Sequence, residues 1–108
     1  MGHNKIYMLN VDIIILYEVF MKKIISSDRA PKAIGPYSQA VQIGNLAFFS
    51  GQLGINPETG KLAEGGVKAQ AEQALKNIKA ILEEAGACVD NVLKTTVFIT
   101  KMDDFQEV

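Results

Sequence analysis

Two hydroxyl-bearing residues, Tyr37 and Ser50, are the strongest candidates for chemistry in this sequence of 108 residues. Tyr37 directly follows Gly35-Pro36, a pair that restricts the backbone and can aim the aromatic hydroxyl into a cleft. Ser50 precedes Gly51, which allows a ligand to approach the backbone closely, so the serine can orient a substrate or a water molecule. Structural roles remain open for both: Tyr37 as a core aromatic residue with a satisfied hydroxyl, and Ser50 as a strand end or bulge.

Other reactive side chains are few and isolated. The single histidine, His3, lies near the N-terminus, which disfavours a Ser-His-Asp triad and a His-rich metal site. Cys88 has no base nearby in the sequence and is expected to be a buried or half-buried thiol rather than a nucleophile. Asp103 and Asp104 are adjacent, so we expect helix caps rather than paired catalytic carboxylates. Glycine-rich, Walker and paired-cysteine motifs are absent, so neither a cofactor nor a metal is predicted.

The composition favours one small domain that binds neither membranes nor nucleic acid. The chain is 48% hydrophobic and 21% charged, which is enough to build a core. Eleven Lys and Arg against twelve Asp and Glu give a net charge of -1, and Arg29 is the single arginine, which disfavours binding to phosphates. One cysteine excludes a disulfide framework and fits a reducing cytoplasm. A core of this size favours oligomerisation, which adds buried area.

The two candidate residues flank a predicted hairpin. Tyr37–Ile43 and Leu46–Gln52 have the composition of strands, and Gly44-Asn45 between them suits a two-residue turn with positive φ. Further elements are predicted around this hairpin from β-propensity and from Pro and Gly positions. They are a strand at Lys23–Ser26, a loop at Arg29–Pro36, a turn at Asn56–Gly60 and a strand at Val92–Thr100.

The clearest element is a helix over Gly66–Ala85, because apolar residues recur there at spacings of three and four. Gly86 is its expected stop. Strands, a long helix and another strand predict an α+β domain with a largely antiparallel sheet and the helix on one face. The other face of the sheet must also be covered, which again favours association.

Residues 1–20 stand apart from this pattern. Their uninterrupted apolar run, Ile13–Tyr17, is too short to span a bilayer, and no basic stretch or small-residue cleavage site marks a signal peptide. One interpretation is that translation starts at Met21 and that residues 1–20 are an extension. The other is an additional strand that covers an exposed sheet edge. Residues 21–108 are predicted to form the domain.

From Met21 onward the sequence closely resembles the Rid family (YjgF family) of reactive-intermediate imine deaminases. The matching stretches are AIGPYSQAVQIGNLAFFSGQLGINPETGKL, AQAEQALKNIKAILEEAGA and VLKTTVFITKMDDFQEV, which include the specific motifs IGPY, SGQ and KTTVF. The resemblance implies a chorismate-mutase-like α+β fold and a homotrimer with ligand sites between subunits. It implies a cytoplasmic hydrolase that converts enamines and imines of the 2-aminoacrylate type to 2-keto acids and ammonia, without a cofactor.

The same resemblance assigns roles to residues of this chain. Tyr37 and Ser50 match the catalytic tyrosine and serine, and Gly51 matches the glycine whose backbone lines the pocket. Gly35 of the IGPY motif is taken with these three as a substrate-binding position.

The family pattern continues past the position of Val108 with the rest of a helix and two strands. They carry an Arg for the substrate carboxylate and a late Glu for the attacking water, and Arg29 matches neither. We therefore expect a C-terminally incomplete domain that is inactive as a deaminase, because it lacks the residues that anchor the substrate and activate the water. The alternatives are a non-catalytic ligand-binding or interaction module, and the translation inhibition or ribonuclease activity that is also linked to the family.

Overall fold

Three short antiparallel strands form the sheet that carries the predicted hairpin. The computed structural model describes residues 22–108. The strands follow one another in the sheet in chain order, as β1 (Lys23–Ile25), β2 (Ala40–Ile43) and β3 (Leu46–Phe49). Ile43 pairs with Leu46 across the turn, where Gly44 has φ 57° and no non-glycine residue has a positive φ. Positive φ at the first turn position alone is typical of a type II′ hairpin, so the predicted hairpin is confirmed, although each strand is three residues shorter at its outer end than predicted.

The long helix also lies where its periodicity predicts it. Helix α1 (Gly66–Glu84) has 19 residues, about 28 Å at 1.5 Å per residue. At its end, the amide of Gly86 donates to the carbonyl of Glu83, and the amide of Ala87 donates to that of Leu82. This pair of bonds is the Schellman motif, and it requires the φ of 78° that Gly86 adopts. The predicted stop at Gly86 is therefore confirmed.

The core lies between one face of the sheet and α1. Ile25 and Ala40 are paired across β1 and β2, and both are buried against Ala80 and Ile81 of the helix. Ile81 has no exposed surface at all, which is the expected result for the centre of the apolar helix face. Leu75, one of the apolar residues from which the helix is predicted, is instead 62% exposed.

The loop between β3 and α1 is fixed to the helix by a buried amide. Asn77 is completely buried, and its Nδ2 donates to the carbonyl oxygens of Leu53 (3.1 Å) and Ile55 (2.9 Å). Its Oδ1 accepts from Nε2 of Gln73 at 2.9 Å. These bonds satisfy the amide without water, so a polar side chain can occupy the core. The helical periodicity of the sequence does not identify Asn77, because the pattern is defined by apolar positions only.

The same loop packs so closely on α1 that one of its positions must be a glycine. A Cβ at Gly54 would lie 2.6 Å from the Cα of Gln70, closer than any real contact. Further along, the predicted turn at Asn56–Gly60 is confirmed: the amide of Gly60 donates to the carbonyl of Asn56, and Gly60 has φ 73°. The loop therefore has a defined course from the end of β3 to the start of α1.

The predicted strand at Val92–Thr100 is wrong. Residues 93–100 form no strand, and no backbone hydrogen bond links them to another described residue. Leu93 and Phe98 are each 91% exposed. A segment rich in β-branched and aromatic residues forms a strand only when a neighbouring strand pairs with it. Residues 22–108 provide no partner strand for this segment.

Two smaller expectations are also corrected. Asp103 and Asp104 lie inside a 3-10 turn, Met102–Asp104, and not at a helix cap, because Lys101 occupies the N-terminal position. Cys88 is exposed rather than buried, since the chain that follows α1 runs over the surface. Both interpretations of residues 1–20 lie outside the described residues. Within residues 22–108, no helix is long and apolar enough to cross a bilayer.

Candidate functional site

A shallow cavity of about 360 Å³ lies at the end of the β2–β3 hairpin opposite its turn. Both candidate hydroxyl residues, Tyr37 and Ser50, line this cavity. The complete lining consists of Lys22, Pro36, Tyr37, Ser38, Ala40, Val41, Phe48, Phe49 and Ser50. Apolar and aromatic side chains share this wall with the polar groups of Lys22, Ser38 and Ser50.

Tyr37 is positioned by the loop before β2. The amide of Tyr37 donates to the carbonyl of Gly35 at 2.9 Å, which closes a three-residue turn around Pro36. Gly35 has φ 107°, a conformation that residues with a side chain rarely adopt. Half of the surface of Tyr37 is exposed, so it is not a core residue of the domain formed by residues 22–108. The turn thus presents the aromatic ring at the cavity wall.

Ser50 directly follows the last residue of β3, and two hydrogen bonds fix it. Its amide donates to the carbonyl of Gln39 at 2.9 Å, and its hydroxyl donates to the carbonyl of Ser38 at 2.5 Å. Because the hydroxyl hydrogen is used in this way, the lone pairs of Oγ remain to accept a hydrogen bond from a ligand. Ser50 therefore lies at the end of a strand, which is the structural role left open for it above, and it also lines the cavity.

The two predicted glycines do not line this cavity. Gly35 acts through the turn that holds Tyr37, and its own atoms are not part of the wall. Gly51 has an ordinary φ, and a Cβ placed there would meet no atom within 4 Å. Its backbone is therefore open to an approaching molecule, but neither its conformation nor its packing requires glycine.

Charge at the site is sparse. Lys22 is the one charged side chain among the described residues that line the cavity. Arg29 points elsewhere: its Nη1 bonds Oε1 of Glu83 on α1 at 2.8 Å. In residues 22–108, no group of three or more His, Cys, Asp or Glu side chains could hold a metal ion. The polar chemistry of the cavity therefore comes from the hydroxyls of Tyr37, Ser38 and Ser50, one ammonium group and the backbone.

Sequence reasoning missed one polar residue beside the site. Gln39 is 97% buried, with 3% of its surface exposed, and its side-chain amide makes three hydrogen bonds to residues 27–31. Its position just before a run of apolar strand residues was an available signal, because a glutamine there must be hydrogen-bonded or exposed. The apolar lining by Val41 and Phe48 was missed as well.

Comparisons with known proteins place the chain in a family. Residues 27–108 match the family Endoribonuclease L-PSP. The 2-iminobutanoate/2-iminopropanoate deaminase of Mus musculus is 51% identical over 88 residues, which cover 82% of this chain and 65% of the mouse protein.

Solved structures show the same likeness. RidA from an Antarctic Psychrobacter bacterium is 52% identical with a TM-score of 0.76, over 79% of this chain and 68% of that one. E. coli TdcF, solved with bound serine, is 47% identical with a TM-score of 0.75, over 79% and 66%. The chain thus spans about two thirds of the length of these relatives. The predicted α+β fold is confirmed, and the chain belongs to the Endoribonuclease L-PSP family, which includes the Rid and YjgF proteins.

Proposed function

We propose that this protein hydrolyses 2-imino acids and their enamine tautomers to 2-keto acids and ammonia. The observation that carries the proposal is that Tyr37 and Ser50, which are 13 positions apart in the sequence, line one small cavity. The mouse relative bears the name of this activity at 51% identity. A cavity of about 360 Å³ lies in the size range of small-molecule sites and has room for a short-chain 2-imino acid.

The reaction needs a water molecule, a polarised C=N bond and no redox partner. Water adds to the imine carbon, its oxygen forms the new C–O bond, and the nitrogen takes up the protons that the water loses. The C–N bond then breaks, so that ammonia leaves and a 2-keto acid remains. We propose that it proceeds in the cytoplasm without an organic cofactor.

Tyr37 and Ser50 are the proposed catalytic residues. Oγ of Ser50, whose hydrogen is used by the Ser38 carbonyl, accepts a hydrogen bond from the imine N–H or from the attacking water. The phenol of Tyr37 can donate and accept, so it can carry a proton between water and nitrogen. Gly35 holds the turn of Tyr37, and the backbone at Gly51 is open to the ligand. Their assignment as substrate-binding positions stays a prediction, since neither glycine lines the described cavity.

The substrate carboxylate needs a positive partner. In the described cavity that partner is Lys22, whose ammonium is a flexible point charge rather than a bidentate clamp. A single lysine at an open site binds a carboxylate weakly, because water competes with it.

We also propose that the protein assembles as a homotrimer through the sheet face that α1 does not cover. Ile24, Val41 and Phe48 lie opposite one another across β1, β2 and β3 on that face. Ile24 is 63% exposed and Phe48 is 62% exposed, although both are apolar. Since Val41 and Phe48 also line the cavity, a neighbouring subunit on this face would complete its wall.

The decisive assay is ammonia release from an imine that an amino-acid oxidase generates in situ. We expect the protein to accelerate release over buffer, and Tyr37→Phe and Ser50→Ala to lower the rate while the melting temperature changes little. The assay has two informative failures. Binding of serine without turnover would favour a ligand-binding module over an enzyme. RNA binding or cleavage at low salt would favour the ribonuclease alternative.

A further inference from the structure

Gln39 connects two parts of the chain that meet at the proposed site. Its Oε1 accepts from the amide of Ser27 at 2.6 Å, and its Nε2 donates to the carbonyls of Ser27 (3.2 Å) and Pro31 (2.8 Å). Both hydrogens of the side-chain amide are therefore used inside the protein. With 3% of its surface exposed, Gln39 makes these bonds largely shielded from water, where they are stronger and more costly to lose.

Beyond the end of β1, the side chain of Gln39 takes the place of a hydrogen-bonding partner on a neighbouring strand. The β1–β2 ladder ends with the pair Ile25 and Ala40, and Ser26 and Ser27 lie beyond the end of β1. There the amide of Gln39 satisfies both the N–H and the C=O of Ser27, as a backbone partner would. The bond to Pro31 then fixes the start of the loop that leads to Gly35 and Tyr37.

The backbone of the same segment holds Ser50. The Gln39 carbonyl accepts from the Ser50 amide at 2.9 Å, and the neighbouring Ser38 carbonyl accepts from the Ser50 hydroxyl at 2.5 Å. Tyr37 precedes these two carbonyls directly in the chain. Because Tyr37 and Ser50 are both attached to the Ser38-Gln39 segment, the conformation of this segment sets where the two residues lie relative to each other.

We propose that Gln39 is a positioning residue of the site: its buried amide sets the distance between Tyr37 and Ser50. This inference rests on the proposed deaminase function. Gln39 itself does not line the cavity, so it acts through the two hydroxyl residues and not on the substrate. Its loss should affect the arrangement of the reacting groups more than the binding of substrate.

The test compares Gln39→Met with Asn77→Leu. Asn77 is the matched control, because it is also a buried amide with three side-chain hydrogen bonds but joins α1 to residues 53–55. Both variants should lower the melting temperature. Well below that temperature, we expect Gln39→Met to lower kcat by about 10²-fold with a much smaller change in KM, and Asn77→Leu to leave kcat near the wild-type value.

A double-mutant cycle separates positioning from general damage. If Gln39 acts through the two hydroxyl residues, Gln39→Met should cost far less in the background of Tyr37→Phe or Ser50→Ala than in the wild type. Equal loss of kcat in Gln39→Met and Asn77→Leu, or full additivity in both cycles, would overturn the positioning role. A wild-type rate equal to that of buffer would instead overturn the proposed deaminase function on which the role depends.

Discussion

The two faces of the three-stranded sheet differ in what covers their apolar residues. On the inner face, Ile25 and Ala40 are 3% and 1% exposed, because α1 packs on them. On the outer face, Ile24 and Phe48 are 63% and 62% exposed, and no described element covers them. Sheets with one wet face usually alternate apolar and polar residues, whereas this one does not. The sequence thus specifies two covered faces, and residues 22–108 cover one of them.

The largest effect is expected on the inner face. Ile81→Ala should lower the free energy of unfolding by about 2–5 kcal/mol, because it opens a cavity at a side chain with no exposed surface. Urea unfolding followed by circular dichroism measures this loss. A change below about 1 kcal/mol would mean that α1 does not form the cover of the inner face.

The outer face should respond through association. Ile24→Lys should weaken assembly by about 1.5–3 kcal/mol for each protomer, the contribution of burying an isoleucine in a subunit interface. Sedimentation velocity over a concentration series measures the shift toward monomer. Leu75→Lys is the matched control, since Leu75 on α1 is 62% exposed as well and lies away from the outer face. Equal assembly of both variants would contradict an interface on this face.

The loop that leads to α1 provides a third comparison. Gly54→Ala should destabilise the fold by about 1–3 kcal/mol, because the new Cβ would collide with the backbone of Gln70. Gly51→Ala is the control three residues away, and its Cβ would meet nothing within 4 Å. Thermal unfolding of both variants should show a loss for Gly54→Ala alone, and similar melting temperatures would show that the loop does not approach the helix this closely.

The smallest effect is expected at the surface pair between Arg29 and Glu83. Their side chains are 62% and 43% exposed, so water screens the 2.8 Å contact. Arg29→Ala should cost about 0.2–1 kcal/mol, and the loss should shrink at high salt. A double-mutant cycle with Glu83→Ala measures the coupling. A coupling well above this range would show that the loop and helix depend on this pair.

Local patterns predicted the elements whose partners are close in the sequence. The hairpin around Gly44 and the helix that ends at Gly86 were predictable, because turn conformation and helix periodicity are local properties. Val92–Thr100 was not, since its β-propensity needs a partner strand that the described residues do not supply.

The candidate site shows the same limit. Tyr37 and Ser50 could be proposed from their residue types and neighbours, and both line the cavity. Asn77 and Gln39 could not be assigned their roles, because a buried amide is identified by its tertiary hydrogen bonds. Lys22 likewise became a candidate for the carboxylate only when the fold brought it to the same wall.

The turn around Pro36 has a consequence for the energetics of binding. Proline locks its own φ, and the bond from the Tyr37 amide to Gly35 fixes the residues on either side. The conformational entropy of this segment is therefore lost when the protein folds and not when a ligand arrives. A preorganised loop of this kind should bind a short-lived molecule without a slow closing step. The association rate constant is then not lowered by a conformational change of the loop.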